Sequence, residues 1–390
     1  MVPERFDVMS RMASKTPHLK QIPNHQKHTA TITMSTGKEV FIIGPGFIGW
    51  NVLDLLIAEG YTVTGFVRRQ EHADQINASG ATAVIGDLGD RTNITEHAAQ
   101  ADIVIHTATA DHLPSVQAVL DGVKQRARKG QMTIYIHTSG TSVLDDGAEG
   151  SRKSEKVYHD NVRSEIDSVP ESAPHREIDL AIVQAQEELG EKAKIAIMIP
   201  YVPNSYHIPS SINPDPVNPA HNRLTIQIPT LTRFALKHHY AAHVGPGHPV
   251  ESNIHVLDLA RAYITLLHHL EVTAPSQPLS HPYYFCESTG SSEPSWREIA
   301  DLIGQKLFEA GRIPDPKPRM LPRELYGDVF GAFTGAVIGL NSRSRAVRLR
   351  ELGWAPREKD WRASFVEDEL PVILREGVEG FGGYQGTVAS

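Results

Sequence analysis

The chain has 390 residues and is short of several things, each of which removes a class of answers. It holds one cysteine, Cys286, so no intrachain disulfide can form, and a reducing compartment such as the cytoplasm fits. No apolar run approaches the ~20 residues that a membrane-crossing helix needs. The longest suspect, VFGAFTGAVIGL, is too short and too rich in glycine. Positive charge is not in excess: 38 Lys and Arg stand against 46 Asp and Glu, a net charge of -8. A nucleic-acid partner is therefore a poor expectation. What remains is ordinary for a soluble globular protein, with 40% hydrophobic and 22% charged residues. The length allows one large or two moderate domains with ample core.

Residues 1–37 differ from the rest. They have little apolar periodicity, many basic, hydroxyl and histidine residues, and no continuous apolar stretch of a secretory signal. Glu4, Asp7 and the prolines argue against a transit peptide. A disordered tail is the expectation. A translation start at Met34, from which MSTGKEVFIIGPG runs straight into a strand, is the other reading.

From residue 38 the pattern alternates strictly. KEVFIIG, YTVTGFV, ATAVIGD, ADIVIHTA and QMTIYIHTSG read as buried strands. Between them FIGWNVLDLLIAEG, EHADQINASG, NITEHAAQ and PSVQAVLDGVKQRARKG read as helices, the third capped by Thr92 or Asn93. Short connections and strict alternation predict a parallel sheet with helices on both faces. Residues 145–173 read as loop by composition. Pro174 is expected to open a helix with an apolar stripe of Ile178, Ile182, Ala185 and Leu189, and KIAIMIP is the next strand. After residue 200 the alternation breaks. A Pro- and Asn-rich stretch with Tyr201, Asn204 and His207 looks like a loop over a pocket. TRFALKHHYAAHVGPGHPV suggests a helix and then a hairpin-like turn, IHVLDLARAYITLLHHL another strand-to-helix step, YYFCES another strand, and SWREIADLIGQKLFEAG an amphipathic helix. The fold class expected is α/β, a Rossmann-type doubly wound parallel sheet with a smaller C-terminal substrate lobe. Residues 38–200, completed by 254–287, would form the first domain, and 201–253 with 288–380 the lobe.

GPGFIG puts Gly44, Gly46 and Gly49 in G-x-G-x-x-G spacing between the first strand and the first helix. The context gives the motif its meaning. Gly44 makes the tight turn, Gly46 lets backbone approach a pyrophosphate, and Gly49 allows close helix–strand packing. Phe47 and Ile48 carry the loop into a helix N-terminus, whose free N–H groups and dipole favour an anion. At the end of the second strand, where an NAD site usually carries a carboxylate, FVRR places Arg68 and Arg69. That favours NADP(H), with NAD(H) still open.

With these motifs in hand, the chain resembles the extended and atypical short-chain dehydrogenase/reductase superfamily. GYTVTGFVRR is similar to the second strand of dihydroflavonol-reductase-like enzymes. GDLGD, VIHTATA, HVLDLARAY and LGWAP also match, and the nearest look-alikes are epimerase/dehydratase-like proteins. The resemblance implies that Asp87 and Leu88 hold the adenine and that Thr107, Ala108, Thr138 and Pro200 line the cofactor. It also implies a small-molecule substrate, and it leaves a homodimer open.

In that superfamily a Ser or Thr follows the fifth strand and Tyr-x-x-x-Lys lies on the next helix. Here Gly140 takes the hydroxyl position, flanked by Ser139 and Thr141, while His175 and Asp179 stand for Tyr and Lys. Tyr158 is no substitute, because Val162 stands where Lys is needed. Two functions are consistent with this. In the first, His175 and Asp179, at i and i+4 on one helix face, form an acid dyad that protonates a carbonyl, with Ser139 or Thr141 holding its oxygen. In the second, the site has lost its acid and the protein is a non-catalytic NAD(P)-binding regulator or sensor of the NmrA-like kind.

Overall fold

The computed structural model describes residues 37–202, 224–288 and 293–384. Eleven strands occur among them, in chain order β1 (Glu39–Ile43), β2 (Thr62–Val67), β3 (Thr82–Ile85), β4 (Ile103–His106), β5 (Thr133–Thr138), β6 (Tyr158–His159), β7 (Ala193–Pro200), β8 (Ala242–His243), β9 (Tyr283–Cys286), β10 (Arg319–Met320) and β11 (Ser344–Arg345). Seven form one sheet in the order β3-β2-β1-β4-β5-β7-β9, and every pairing in it is parallel. A parallel sheet needs cover on both faces, and the central strands show it: every residue of β4, β5 and β7 is buried. The strand order reverses beside β1, so the crevice beyond the carboxyl ends of β1 and β4 is the topological switch point where such sheets bind ligands.

The first helices are α1 (Gly49–Ala58), α2 (Gln70–Ala78), α3 (Arg91–Ala98), α4 (Leu113–Arg128), α5 (Arg163–Asp167) and α6 (Arg176–Leu189). They are followed by α7 (Gln227–His238), α8 (Val256–Val272), α9 (Ser276–Ser280) and α10 (Trp296–Glu309). α1 packs against α8, while α3, α4 and α6 pack on one another in a second layer. No helix among the described residues is long and apolar enough to cross a membrane. A second apolar core, built around Phe234, Trp296 and Phe365, joins α7 and α10 to the C-terminal segments. α10 is held at its start by a reciprocal capping box between Ser295 and Glu298.

Several local expectations change. Asp90, not Thr92 or Asn93, caps α3, its Oδ1 accepting from Asn93 N at 3.2 Å. Residues 145–173 are not all loop: β6 and α5 lie within them, and β6 pairs with β11. The buried Asp160 explains this, because its carboxylate accepts from Val347 N (2.8 Å), Arg348 N (3.0 Å) and Phe285 N (2.9 Å) and so straps the segment to β9 and the C-terminal region. By that strap Ala346, Leu349 and Trp354 bury in the core around the large sheet. The residues after α7 make no hairpin; β8 pairs in parallel with β10. The first turn of α6 begins at Arg176, and Pro174 lies in the turn before it. Asn204, His207 and the tail of residues 1–36 lie outside the described residues.

Candidate functional site

The glycine loop sits where β1 hands over to α1. Gly44 has φ +76°, a region that suits glycine, and a Cβ there would stand 2.4 Å from Ala108 Cα. A Cβ on Gly49 would meet Thr107 Oγ1 at 2.3 Å. Thr107 in turn donates to the Gly44 carbonyl at 2.8 Å, so its hydroxyl braces the loop from within. Gly46 is different. The nearest atom to a Cβ there would be the Gly44 carbonyl oxygen at 3.9 Å. Two glycines are thus demanded by protein packing, and the third borders open space. That is the distribution expected where backbone must approach a pyrophosphate. Ile48 starts α1 with no side-chain cap and no acid in the first turn, which leaves the N-terminal N–H groups to an anion. The loop therefore fits a dinucleotide.

Around it the remaining expected cofactor residues fall at the same strand ends. Arg68 and Arg69 are exposed just past β2. Arg69 Nη2 lies 2.7 Å from His72 Nε2, while Arg68 has no hydrogen bond or ion pair among the described residues. Asp87 follows β3 and its Oδ1 accepts from Gly89 N at 2.7 Å; Leu88 is half-buried against the core. Ala108 is exposed after β4, and Pro200 is buried at the end of β7. Thr138 is turned inward, its hydroxyl bonded to that of Tyr263 on α8.

The expected dyad is partnered otherwise. His175 is not inside the helix but at its N-cap, with φ +64° in the left-handed region. Neither ring nitrogen is hydrogen-bonded to Asp179 among the described residues, although the two groups interact electrostatically. The ring is held between two other elements. Nδ1 lies 2.7 Å from Asp111 Oδ1, in the connection after β4, and Nε2 lies 2.6 Å from Ser142 Oγ, in the tight turn after β5. Gly140 is the reason the ring fits: a Cβ there would come within 2.6 Å of Nε2. Asp179 is fully buried and accepts from Ser139 Oγ at 3.1 Å. Burial pushes its carboxyl up to about 6, with Ser139, His175 and Arg176 pulling it back. Thr141 is buried, and its carbonyl accepts from Ser342 Oγ at 2.9 Å. Tyr201 lies just past β7 with its hydroxyl buried and unpartnered among the described residues.

Beneath this layer lie polar groups that the sequence reading passed over as strand ends. His106 and His137 sit in register on β4 and β5 with ring centroids 5.3 Å apart. His106 Nε2 is 3.1 Å from Ser115 Oγ, and His137 Nδ1 is 3.2 Å from the Tyr135 hydroxyl. Burial holds His106 down to about 4 and His137 well below the usual imidazole range, so both are neutral near pH 7. Asp111 and Ser142 were likewise missed. Both are half-buried, Asp111 in the connection after β4 and Ser142 in the tight helical turn after β5, and nothing in their sequence spacing marks them as partners of a histidine.

Comparison with known proteins agrees with this geometry. Residues 44–165 match the family model for NAD(P)H-binding domains. The structure superposes on a UDP-glucose 4-epimerase with a TM-score of 0.57 at 17% identity, over 89% of this chain and 100% of that one. The chain thus carries an NAD(P)H-binding domain match over residues 44–165 and shares the fold of that epimerase. It is likewise similar in fold to the yeast methylglyoxal/isovaleraldehyde reductase Gre2, solved with NADPH, with a TM-score of 0.55 at 15% identity over 88% of this chain and 99% of that one. Among curated sequences it is similar to the oxidase ucsJ of an Acremonium species, 28% identical over 296 residues, 71% of this chain and 80% of that one.

Proposed function

We propose that the protein is an NADP(H)-dependent oxidoreductase that reduces a small carbonyl compound, with His175 as the proton source. The observation that carries this reading is the hydrogen-bonded chain Asp111–His175–Ser142 at the carboxyl ends of the strands. The bound cofactor supplies a hydride. Gly44, Gly46, Phe47, Ile48 and Gly49 hold its pyrophosphate, Arg68 and Arg69 its 2′-phosphate, Asp87 and Leu88 its adenine, and Thr107, Ala108, Thr138 and Pro200 flank the rest. Asp111 accepts from Nδ1–H, which fixes the tautomer and offsets the charge of the imidazolium. His175 then delivers its Nε2 proton to the carbonyl oxygen through Ser142, the half-buried end of the chain. Asp179 and Ser139 act as a buried pair that packs α6 against β5, and Thr141 orients the turn. The same reading has the protein act on a small molecule in the cytoplasm and leaves a homodimer open.

The relatives named as an oxidase and a reductase support hydride chemistry. The test is NADPH oxidation with a panel of aldehydes and ketones. His175→Phe should lower turnover by about 10²–10⁴-fold while leaving cofactor affinity nearly intact. If the protein binds NADPH and no carbonyl in the panel consumes it, the non-catalytic NAD(P)-binding sensor becomes the function.

A further inference from the structure

The order of groups around His175 has a second chemical meaning. A serine hydroxyl stands on Nε2 at 2.6 Å and a carboxylate stands on Nδ1 at 2.7 Å. This is the arrangement by which a neutral imidazole activates serine as a nucleophile, and it is recognised by geometry and roles, not by position in the chain. The three residues come from separate elements: the connection after β4, the turn after β5 and the N-cap of α6.

The arrangement is rigid and specific. His175 is held in a left-handed backbone conformation that residues with a side chain rarely adopt, and such strain persists only where the surroundings enforce it. Gly140 leaves the volume that the ring occupies. The ring is buried, with its side chain 3% exposed, whereas Ser142 is half-buried and so is the member a small molecule can reach. Val143 N closes the turn onto the Gly140 carbonyl at 3.2 Å, which fixes the backbone that carries Ser142.

We propose that Ser142 is an acyl-accepting nucleophile and that the protein hydrolyses small carboxylic esters, independently of any hydride transfer. Ser142 Oγ bonds to the ester carbonyl carbon as its proton passes to His175 Nε2. Collapse of the tetrahedral species breaks the bond to the alkoxy oxygen, and the proton on Nε2 goes to that leaving oxygen, releasing the alcohol. Water then adds to the acyl carbon and gives a proton to Nε2. The bond to Ser142 breaks, Oγ takes the proton back, and the carboxylic acid leaves. Nothing is oxidised or reduced. Asp111 holds the ring in the tautomer that makes Nε2 the base.

The experiment uses the full chain without nicotinamide cofactor. Hydrolysis of p-nitrophenyl acetate is followed by absorbance, and a small alkyl fluorophosphonate is added for intact-mass analysis and peptide mapping. The expected result is one adduct per chain on Ser142, lost with hydrolysis in Ser142→Ala, and a fall of about 10²–10⁴-fold in hydrolysis for Asp111→Asn. Mapping of the wild-type adduct decides the matter even if a variant fails to fold. An adduct on another residue, or wild-type hydrolysis no faster than that of folded Ser142→Ala, overturns the proposal. Because no cofactor is present, neither result bears on carbonyl reduction.

Discussion

Gly140 and His175 share one volume: a Cβ on Gly140 would lie 2.6 Å from His175 Nε2 and 3.0 Å from Cδ2. The resemblance to the short-chain dehydrogenase/reductase superfamily implies a hydroxyl-bearing residue at the first position and tyrosine at the second. Here both are changed, and the two changes fit each other. The ring cannot swing aside cheaply, since Asp111 and Ser142 hold both its nitrogens. Gly140→Ser should therefore cost about 1–3 kcal/mol by overpacking and lower carbonyl turnover by about 10²-fold or more. NADPH affinity should stay within a few-fold. Melting curves, turnover and calorimetry check the three parts, and an active, fully stable Gly140→Ser would show that the ring has room to move.

Gly46 and Gly49 should separate cofactor binding from folding. A Cβ on Gly49 collides with Thr107 Oγ1 at 2.3 Å and the Gly44 carbonyl oxygen at 2.8 Å, so Gly49→Ala should destabilise the protein by about 1–3 kcal/mol. A Cβ on Gly46 meets no atom closer than 3.9 Å. Gly46→Ala should melt like the parent without cofactor yet lose NADPH affinity by about tenfold or more, because only the pyrophosphate needs that space. Equal melting losses for the two variants would contradict this division.

The frame of the fold was readable because a buried parallel strand writes itself as a short apolar run between turn residues. KEVFIIG and KIAIMIP are such runs, and both became central strands. The glycine loop was readable because its three glycines keep a fixed spacing between a strand and a helix, even though the contacts that require Gly44 and Gly49 lie far along the chain at Ala108 and Thr107. The hydrogen-bonded layer around His175 was not. His175 is the N-cap of α6, with a positive φ that sequence does not reveal. Its true partners lie 64 and 33 positions away in the chain. Long-range hydrogen bonds between loops leave no periodic trace. Asp160 shows the same limit, since its three backbone partners turn a polar interval that reads as loop into a strap.

Arg68 should set cofactor preference. It is exposed past β2 with no partner among the described residues, whereas the Arg69 guanidinium is held by His72. A charge-assisted contact to a 2′-phosphate is worth about 1.5–3 kcal/mol, so Arg68→Ala should weaken NADPH binding by about 10–100-fold and leave NADH binding unchanged. Arg69→Ala should have the smaller effect. Titration calorimetry with both cofactors reads the outcome. Equal wild-type affinities for NADPH and NADH would remove the basis for NADP(H) preference.

Asp179 should destabilise the protein as pH rises from 3.8 to about 6. Burial raises its carboxyl from 3.8 to about 6. Below pH 3.8 the carboxyl is protonated in both states and adds nothing to the balance. Between 3.8 and 6 the unfolded chain gives up the proton while the folded chain keeps it, so stability falls as pH rises. Above 6 the folded protein carries the buried anion and the loss is complete, about 3 kcal/mol for a shift of this size. Asp179→Asn keeps the shape, keeps an acceptor for Ser139 Oγ, and removes the charge. It should raise the unfolding free energy at pH 7.5 by up to about that amount and change it little at pH 4. His106, whose imidazole burial holds down to about 4, loses stability on the acid side in both proteins, and that loss cancels in the difference. Urea unfolding of the two proteins at both pH values measures it. A variant less stable than the parent at pH 7.5 would mean that Ser139, Arg176 and the nearby His175 need the anion more than burial opposes it.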